Sequence, residues 1–285
     1  MRTTVFRAER VTIVAVLNAT PDSFSDGGRY VQGDGGVNVA AAVDAAAALV
    51  EAGAHVVDVG GESTRPGSSP VPLADEIART RPLVEALSKR FDVPISIDTR
   101  KAAVAEAALE AGAGIVNDVS GLHHDPAIAE LVGRCDATLI IGHLRGSPET
   151  MQHDVRFDDV VAEVAEELAV SVAVARAAGV GDDRLCVDPG IGFGKQLTHN
   201  LTLLARVGEL RQRLGLPVLV GPSRKAFLGA VTGEPVERRD EATAAACAVA
   251  VFAGADAVRV HDVAGALRAV AIGRALRDAA RGGHA

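Results

Sequence analysis

Four side chains at the ends of short apolar runs, Asp98, Asn117, Asp188 and Lys225, offer two carboxylate acceptors, an amide with both roles, and a cationic donor. That set suits a flat, nitrogen-rich heterocycle, whose ring N–H and amino groups seek carboxylates and whose exocyclic oxygen seeks an ammonium or amide donor. Arg259 and His261, alternating about one strand end, could point at a single anion. Asn18 could offer a hard oxygen to a magnesium ion shared with phosphates. Each residue alone has an ordinary alternative: Asp and Asn often cap the helix that follows a strand, as Asp98 before Thr99 could, and His261 could be a satisfied core histidine. His143 with Arg145 reads equally as a second anion contact or as a structural pair, and His55, His123, His124, His153 and His284 show no ligand spacing.

These residues need elements to present them. The run Leu185-Cys186-Val187 reads as a buried parallel strand that stops on Asp188 and then Pro189-Gly190-Ile191-Gly192-Phe193-Gly194-Lys195, a stretch that no strand or helix interior tolerates. The same grammar, an apolar run followed by a polar residue or glycine, recurs along the chain. Strands are expected near 11–17, 55–59, 94–97, 114–116, 137–141, 218–220 and 257–260 as well, each followed by a helical pattern. Helical faces are read from Val39, Val43, Ala46 and Val50, and from Ile77, Val84, Leu87 and Phe91 with Pro82 kinking or restarting the second. A single helix is expected through Leu203, Val207, Leu210 and Leu214, Asp125 is expected to cap a helix through Val132, and 242–255 reads as a buried, alanine-rich helix.

Eight strands alternating with helices predict a single-domain α/β (β/α)8 TIM barrel over residues 1–285, with two long mobile loops after strands 1 and 2. An open doubly wound sheet is the alternative, but no GxGxxG follows the first strand, and polar residues collect after every strand rather than at one crossover. In a barrel, all of these strand ends share one mouth.

Composition narrows the function classes. A chain of 285 residues with net charge -8, no Trp and one Tyr carries neither a basic footprint nor stacking aromatics, so nucleic acid and anionic membranes are not expected partners. Cys135, Cys186 and Cys247 are odd in number and far apart, which fits reduced thiols in a cytoplasmic protein. The apolar run from Val11 to Leu17 is too short to span a membrane.

The motifs together resemble a family. Val16-Leu17-Asn18-Ala19-Thr20-Pro21-Asp22-Ser23-Phe24-Ser25-Asp26-Gly27-Gly28, Asp58-Val59-Gly60-Gly61-Glu62-Ser63-Thr64-Arg65-Pro66-Gly67, Ser96-Ile97-Asp98-Thr99, Asn117-Asp118-Val119-Ser120-Gly121, Asp188 to Lys195, Ser223-Arg224-Lys225 and Arg259-Val260-His261-Asp262 closely resemble, in order, the motifs of bacterial dihydropteroate synthases. The resemblance implies a homodimeric barrel transferase of folate biosynthesis, a sulfonamide target. Such an enzyme joins 6-hydroxymethyl-7,8-dihydropterin diphosphate to p-aminobenzoate with release of pyrophosphate. Position by position, it implies a pterin pocket of Asp98, Asn117, Asp188 and Lys225, with Phe193 stacking near the ring. Arg259, His261 and Asn18 would hold the diphosphate, the last with Mg2+, and Thr64, Arg65, Pro66, Ser23 and Phe24 would close over p-aminobenzoate.

Two positions depart from that pattern. Gly142 stands where the family commonly has Met, which implies looser packing against the pterin, and Ala226 stands where a Ser often meets the p-aminobenzoate carboxylate. Methyltetrahydrofolate-dependent methyltransferases use a similar barrel, yet this sequence has no cobalamin-binding region and both loop motifs match the synthase. A non-catalytic pterin-binding homologue would show damage at the diphosphate or loop residues, whereas Arg259, His261, Ser23 and Arg65 are all in place.

Overall fold

The structure, a computed structural model, describes residues 5–6, 10–19, 37–65 and 67–282. Its strands are β1 (Thr12–Asn18), β2 (Val56–Gly60), β3 (Ile95–Asp98), β4 (Ile115–Asp118), β5 (Thr138–Gly142), β6 (Leu185–Asp188), β7 (Leu219–Val220) and β8 (Ala257–Val260). The helices are α1 (Val39–Glu51), α2 (Leu73–Arg90), α3 (Ala102–Glu110), α4 (Ala127–Arg134), α5 (Val160–Ala177), α6 (Leu197–Ala205), α7 (Val207–Leu214), α8 (Ala226–Thr232), α9 (Asp240–Ala253) and α10 (Val263–Ala280). All strand pairs are parallel, in the order β6-β5-β4-β3-β2-β1-β8-β7. A parallel bridge between Val187 and Val218, with the Val187 N–H donating to the Pro217 carbonyl at 2.9 Å, joins β6 to β7 and closes the ring. This is a (β/α)8 barrel, and the closure excludes the open doubly wound sheet.

Both faces of such a sheet are buried, so its strands are near-continuous apolar runs. Outside the ring, β-branched and leucine side chains of the strands meet the helices in one large core. Inside it, Val14, Val56, Ile115, Ile140, Cys186, Leu219 and Ala257 form a separate cluster with Phe6, a packed plug beneath the mouth. Successive strand side chains alternate faces, so the inward positions recur every second residue.

Four helical expectations change. α2 starts at Leu73 and runs unbroken through Pro82, which faces solvent with Ala78, where water can satisfy the carbonyl that the proline leaves without a donor. The segment read as one helix through Leu203 and Leu214 is two, broken at Arg206, where Gly208 meets the α9 terminus so closely that an added methyl would lie 2.5 Å from the Ala253 carbonyl oxygen. Asp125 caps more than the helix after it: Oδ2 accepts from Ala102 N–H at 2.7 Å, the first residue of α3, while Oδ1 accepts from Ala127 N–H at 3.2 Å. α9 is not wholly buried, since Cys247 and Ala250 face inward while Val249 and Phe252 are 54% and 48% exposed.

Candidate active site

The alternation that builds the plug also builds the site. One step up from Val56, Ile115, Cys186 and Ala257 on the inward face come Asp58, Asn117, Asp188 and Arg259, and β3 contributes Ser96 and then Asp98. Strand register sets Asn18 beside Gly60, Gly60 beside Asp98, Asp98 beside Asn117, and Gly142 beside Asp188. The residues expected to share a mouth do share one.

Arg259 is its centre. Nε donates to Asp58 Oδ2 at 2.6 Å and Nη2 to Asp98 Oδ2 at 2.7 Å. Asn117 Nδ2 donates to the same Asp58 oxygen at 3.1 Å, so one carboxylate fixes both the guanidinium and the amide. Asp58 is fully buried, and its Oδ1 and the neighbouring Ser96 Oγ have no hydrogen-bond partner among the described residues. Burial pushes the Asp98 carboxyl above its ordinary range; Arg259 opposes this and the charge of Asp58 adds to it. Two carboxylates sharing one cation leave local negative charge, which suits a ligand that presents N–H donors.

Asp58 is the functional residue that the sequence reading passed over. The signal was available: it sits two residues past Val56, on the inward face of its strand.

Across the ring, the segment after β6 is held by three glycines with positive φ, 66° at Gly190, 84° at Gly192 and 60° at Gly194. Gly190 N–H donates to Asp188 Oδ1 at 2.7 Å, closing the turn on the carboxylate. The Lys225 ammonium donates to the Ile191 carbonyl and stands 4.1 Å from the centroid of Phe193. Burial lowers the Lys225 pKa to about 8, with Asp188 opposing, and burial raises Asp188 with Lys225 opposing. Arg224 sets this geometry with φ 56° and a bidentate bond to Asp240 at 2.7 and 2.8 Å.

The other side of the mouth is positive. His261 Nδ1 lies 2.9 Å from Ser223 Oγ, which also accepts the His261 backbone N–H at 3.2 Å, leaving the hydroxyl proton for the ring. In the tautomer that accepts the Ser223 hydroxyl proton at Nδ1, the imidazole carries its own proton on Nε2. Burial depresses the His261 pKa to about 3, and the charges of Arg224, Arg259 and Arg65 add to the effect. It is therefore a neutral donor in a field of arginines. Asn18 ends β1, between β8 and β2; a methyl built on Gly60 would lie 3.7 Å from both Asn18 Oδ1 and Asp98 Cβ. Among the described residues no three His, Cys, Asp or Glu side chains form a metal cage. A lone amide oxygen suits an ion that keeps waters and substrate phosphates as ligands, as magnesium does.

Thr64 and Arg65 belong to the loop after β2, where Ser68 Oγ donates to the Ser63 and Arg65 carbonyls at 2.6 and 2.8 Å. Ser23, Phe24 and Pro66 lie outside the described residues. His143 and Arg145 are committed elsewhere. His143 Nε2 meets Glu167 at 2.9 Å and Nδ1 meets the buried Lys195 ammonium at 2.8 Å, while Arg145 binds Glu167 and Glu163 and lies 3.8 Å from the Phe157 centroid. The structural pairing, rather than a second anion contact, describes them. Gly142 packs against backbone: a methyl there would lie 2.6 Å from Val119 Cα. At Ala226, α8 begins with no side-chain cap.

A closed parallel barrel with a buried, charged pocket at the strand ends is the architecture of a small-molecule enzyme. Residues 14–261 match the model of the pterin binding enzyme family. The chain is 44% identical over 256 residues to a dihydropteroate synthase of Synechocystis, covering 90% of this chain and 86% of that one. It is similar to the solved Yersinia pestis dihydropteroate synthase with a sulfonamide drug complex, with TM-score 0.88, 38% identity and 95% of each chain covered. The Xanthomonas albilineans dihydropteroate synthase with 4-aminobenzoic acid gives TM-score 0.84 and 40% identity over 94% of each chain. The chain belongs to the pterin binding enzyme family, among the dihydropteroate synthases.

Proposed function

We propose that the protein condenses 6-hydroxymethyl-7,8-dihydropterin diphosphate with p-aminobenzoate to give 7,8-dihydropteroate and pyrophosphate. The observation that carries this reading is that Arg259 joins a carboxylate side (Asp58, Asp98, with the Asn117 amide) to a positive side, where Arg224 and Arg65 add their charge around the neutral His261. The first side suits the donor-rich pterin edge, the second its diphosphate. A relative's complex with 4-aminobenzoic acid supports the second substrate.

The aryl amine nitrogen forms a bond to the pterin methylene as the C–O bond to the diphosphate breaks, and the amine gives up one proton. Negative charge grows on the leaving group. Arg259 and the Nε2 proton of His261 are preorganised donors for it, each contributing a few kcal/mol, on the order of 2–4, in a water-poor site. Asp98 balances positive charge developing on the pterin, and Lys225 holds its oxygen while Phe193 covers the ring. Thr64 and Arg65, from the loop after β2, contact p-aminobenzoate and help to keep water from the methylene. At the start of α8, free backbone N–H groups could replace the hydroxyl that Ala226 lacks. Magnesium held by Asn18 and the substrate phosphates would neutralise diphosphate charge.

We also read the protein as a cytoplasmic homodimer. Val249, Phe252, Ile272 and Leu276 are 54%, 48%, 60% and 55% exposed on the packed helices α9 and α10, an apolar surface that a second copy would cover. Among the described residues no helix is long and apolar enough to cross a membrane.

Incubating the purified protein with magnesium and both substrates tests the function. Pyrophosphate release dependent on p-aminobenzoate supports it, and pterin binding without turnover would instead mark a non-catalytic homologue.

A further inference from the structure

The loop carrying Thr64 and Arg65 is closed at its neck by one buried carboxylate. Glu62, 8% exposed, accepts from the Val71 N–H at 2.8 Å, from Lys101 Nζ at 2.7 Å and from the Arg100 guanidinium. Lys101 Nζ also donates to the Val71 carbonyl at 2.7 Å and to Glu76 at 2.6 Å, and Glu76 in turn accepts the Thr99 hydroxyl at 2.7 Å. The Val71 carbonyl is thus tied directly to Lys101, and its N–H is tied through Glu62 to Arg100 and Lys101. The first turn of the loop is fixed as well: Arg79 donates to the Gly61 carbonyl at 3.2 Å, and a methyl on Gly61 would lie 2.6 Å from Thr80 Cγ2.

A neck needs only a backbone hydrogen bond to close. Burying two carboxylates and two cations is costly and is weak support for stability, so its use is better sought in geometry. We propose that Glu62, with Lys101, is a positioning residue for p-aminobenzoate: the ionic knot sets where Thr64 and Arg65 stand relative to Asp98, and so aligns the amine with the pterin methylene. The knot fixes the base of the loop that carries Thr64 and Arg65.

This rests on the synthase reading, and wild-type turnover tests that reading separately. Glu62→Gln should raise the KM for p-aminobenzoate about tenfold or more, the scale of a small misplacement, while the KM for the pterin diphosphate stays within about twofold. Lys101→Gln should repeat the split in a fold that keeps Glu62 on Arg100 and Glu76 on Thr99. Amide exchange at Val71 should quicken in both variants, with β3 amides unchanged. Unchanged p-aminobenzoate KM with an unprotected Val71 amide, or an equal rise in both KM values, would overturn the proposal. If Glu62→Gln fails to fold, Lys101→Gln decides by the same criteria. A silent wild type would refute the synthase reading and this inference with it, whereas an active wild type with indifferent variants refutes this inference alone.

Discussion

Arg259 and Asp58, 201 positions apart in the chain, meet at 2.6 Å under the barrel mouth, and the other arm of the same guanidinium holds Asp98 at 2.7 Å. The carboxylate assigned to the pterin thus holds, through one oxygen, the residue assigned to the diphosphate. Asp98 Oδ1 remains to accept from pterin N–H groups while Oδ2 holds Arg259, and the guanidinium is anchored by Asp58 and Asp98 beside the place proposed for the diphosphate. The two halves of one substrate are read by a single side chain.

Removing that side chain should damage both. Arg259→Ala is expected to lower kcat/KM by about a hundredfold or more, and to destabilise the fold by roughly 3–5 kcal/mol, because Asp58 and Asp98 stay buried without their cation. Steady-state kinetics with a denaturant titration checks this; intact stability with lost activity would show that the carboxylates do not depend on the arginine.

Asp58→Asn separates charge from shape. Asp98 sits above its usual pKa through burial and, in part, the charge of Asp58. Pterin capture needs the ionised carboxylate and is lost as pH falls through the raised value. Without the Asp58 charge, the acid limb of kcat/KM for the pterin diphosphate should move to lower pH, and an unmoved limb would assign it to another group.

The buried histidines govern stability in acid. Burial lowers His143 to about 4 and His261 to about 3, from an ordinary 6.5. The unfolded chain therefore binds protons that the folded chain refuses, so stability present above pH 6.5 drains away as pH falls toward 4. For His143 the loss approaches roughly 3 kcal/mol. His143→Gln should flatten the fall of Tm between pH 6.5 and 4; a fall as steep as in the wild type would place the sensitivity elsewhere.

Gly190→Ala tests the turn after β6. The backbone there has φ 66°, and a methyl would fall on the His143 carbonyl oxygen. Several kcal/mol of destabilisation, about 2–4, is expected. Pterin affinity should fall with it, because Asp188 and Phe193 ride on this turn; calorimetry against a pterin ligand reads the second effect.

Much of this was legible in the chain itself. Apolar runs that end on Asp98, Asn117, Asp188 and Arg259 mark strand ends, and eight such runs imply closure. Period-two alternation also marks Asp58, two residues beyond the inward Val56. What the letters could not carry is partnership. Nothing local says that Arg259 spans two carboxylates, that Glu62 ties its loop to Lys101, or that His143 and Arg145 spend themselves on Glu167. Those are meetings across the barrel, fixed by register and closure. Pro82 misled because propensity describes an isolated helix, and a solvent-facing proline in a packed one is tolerated.

A crystal structure with the pterin diphosphate bound is the most direct test. The account predicts one pterin in the barrel mouth, its donor edge on Asp98 and Asp188, its oxygen toward Lys225, and its diphosphate on Arg259. A pterin bound outside the mouth, or one seated there with its diphosphate away from Arg259, would contradict it.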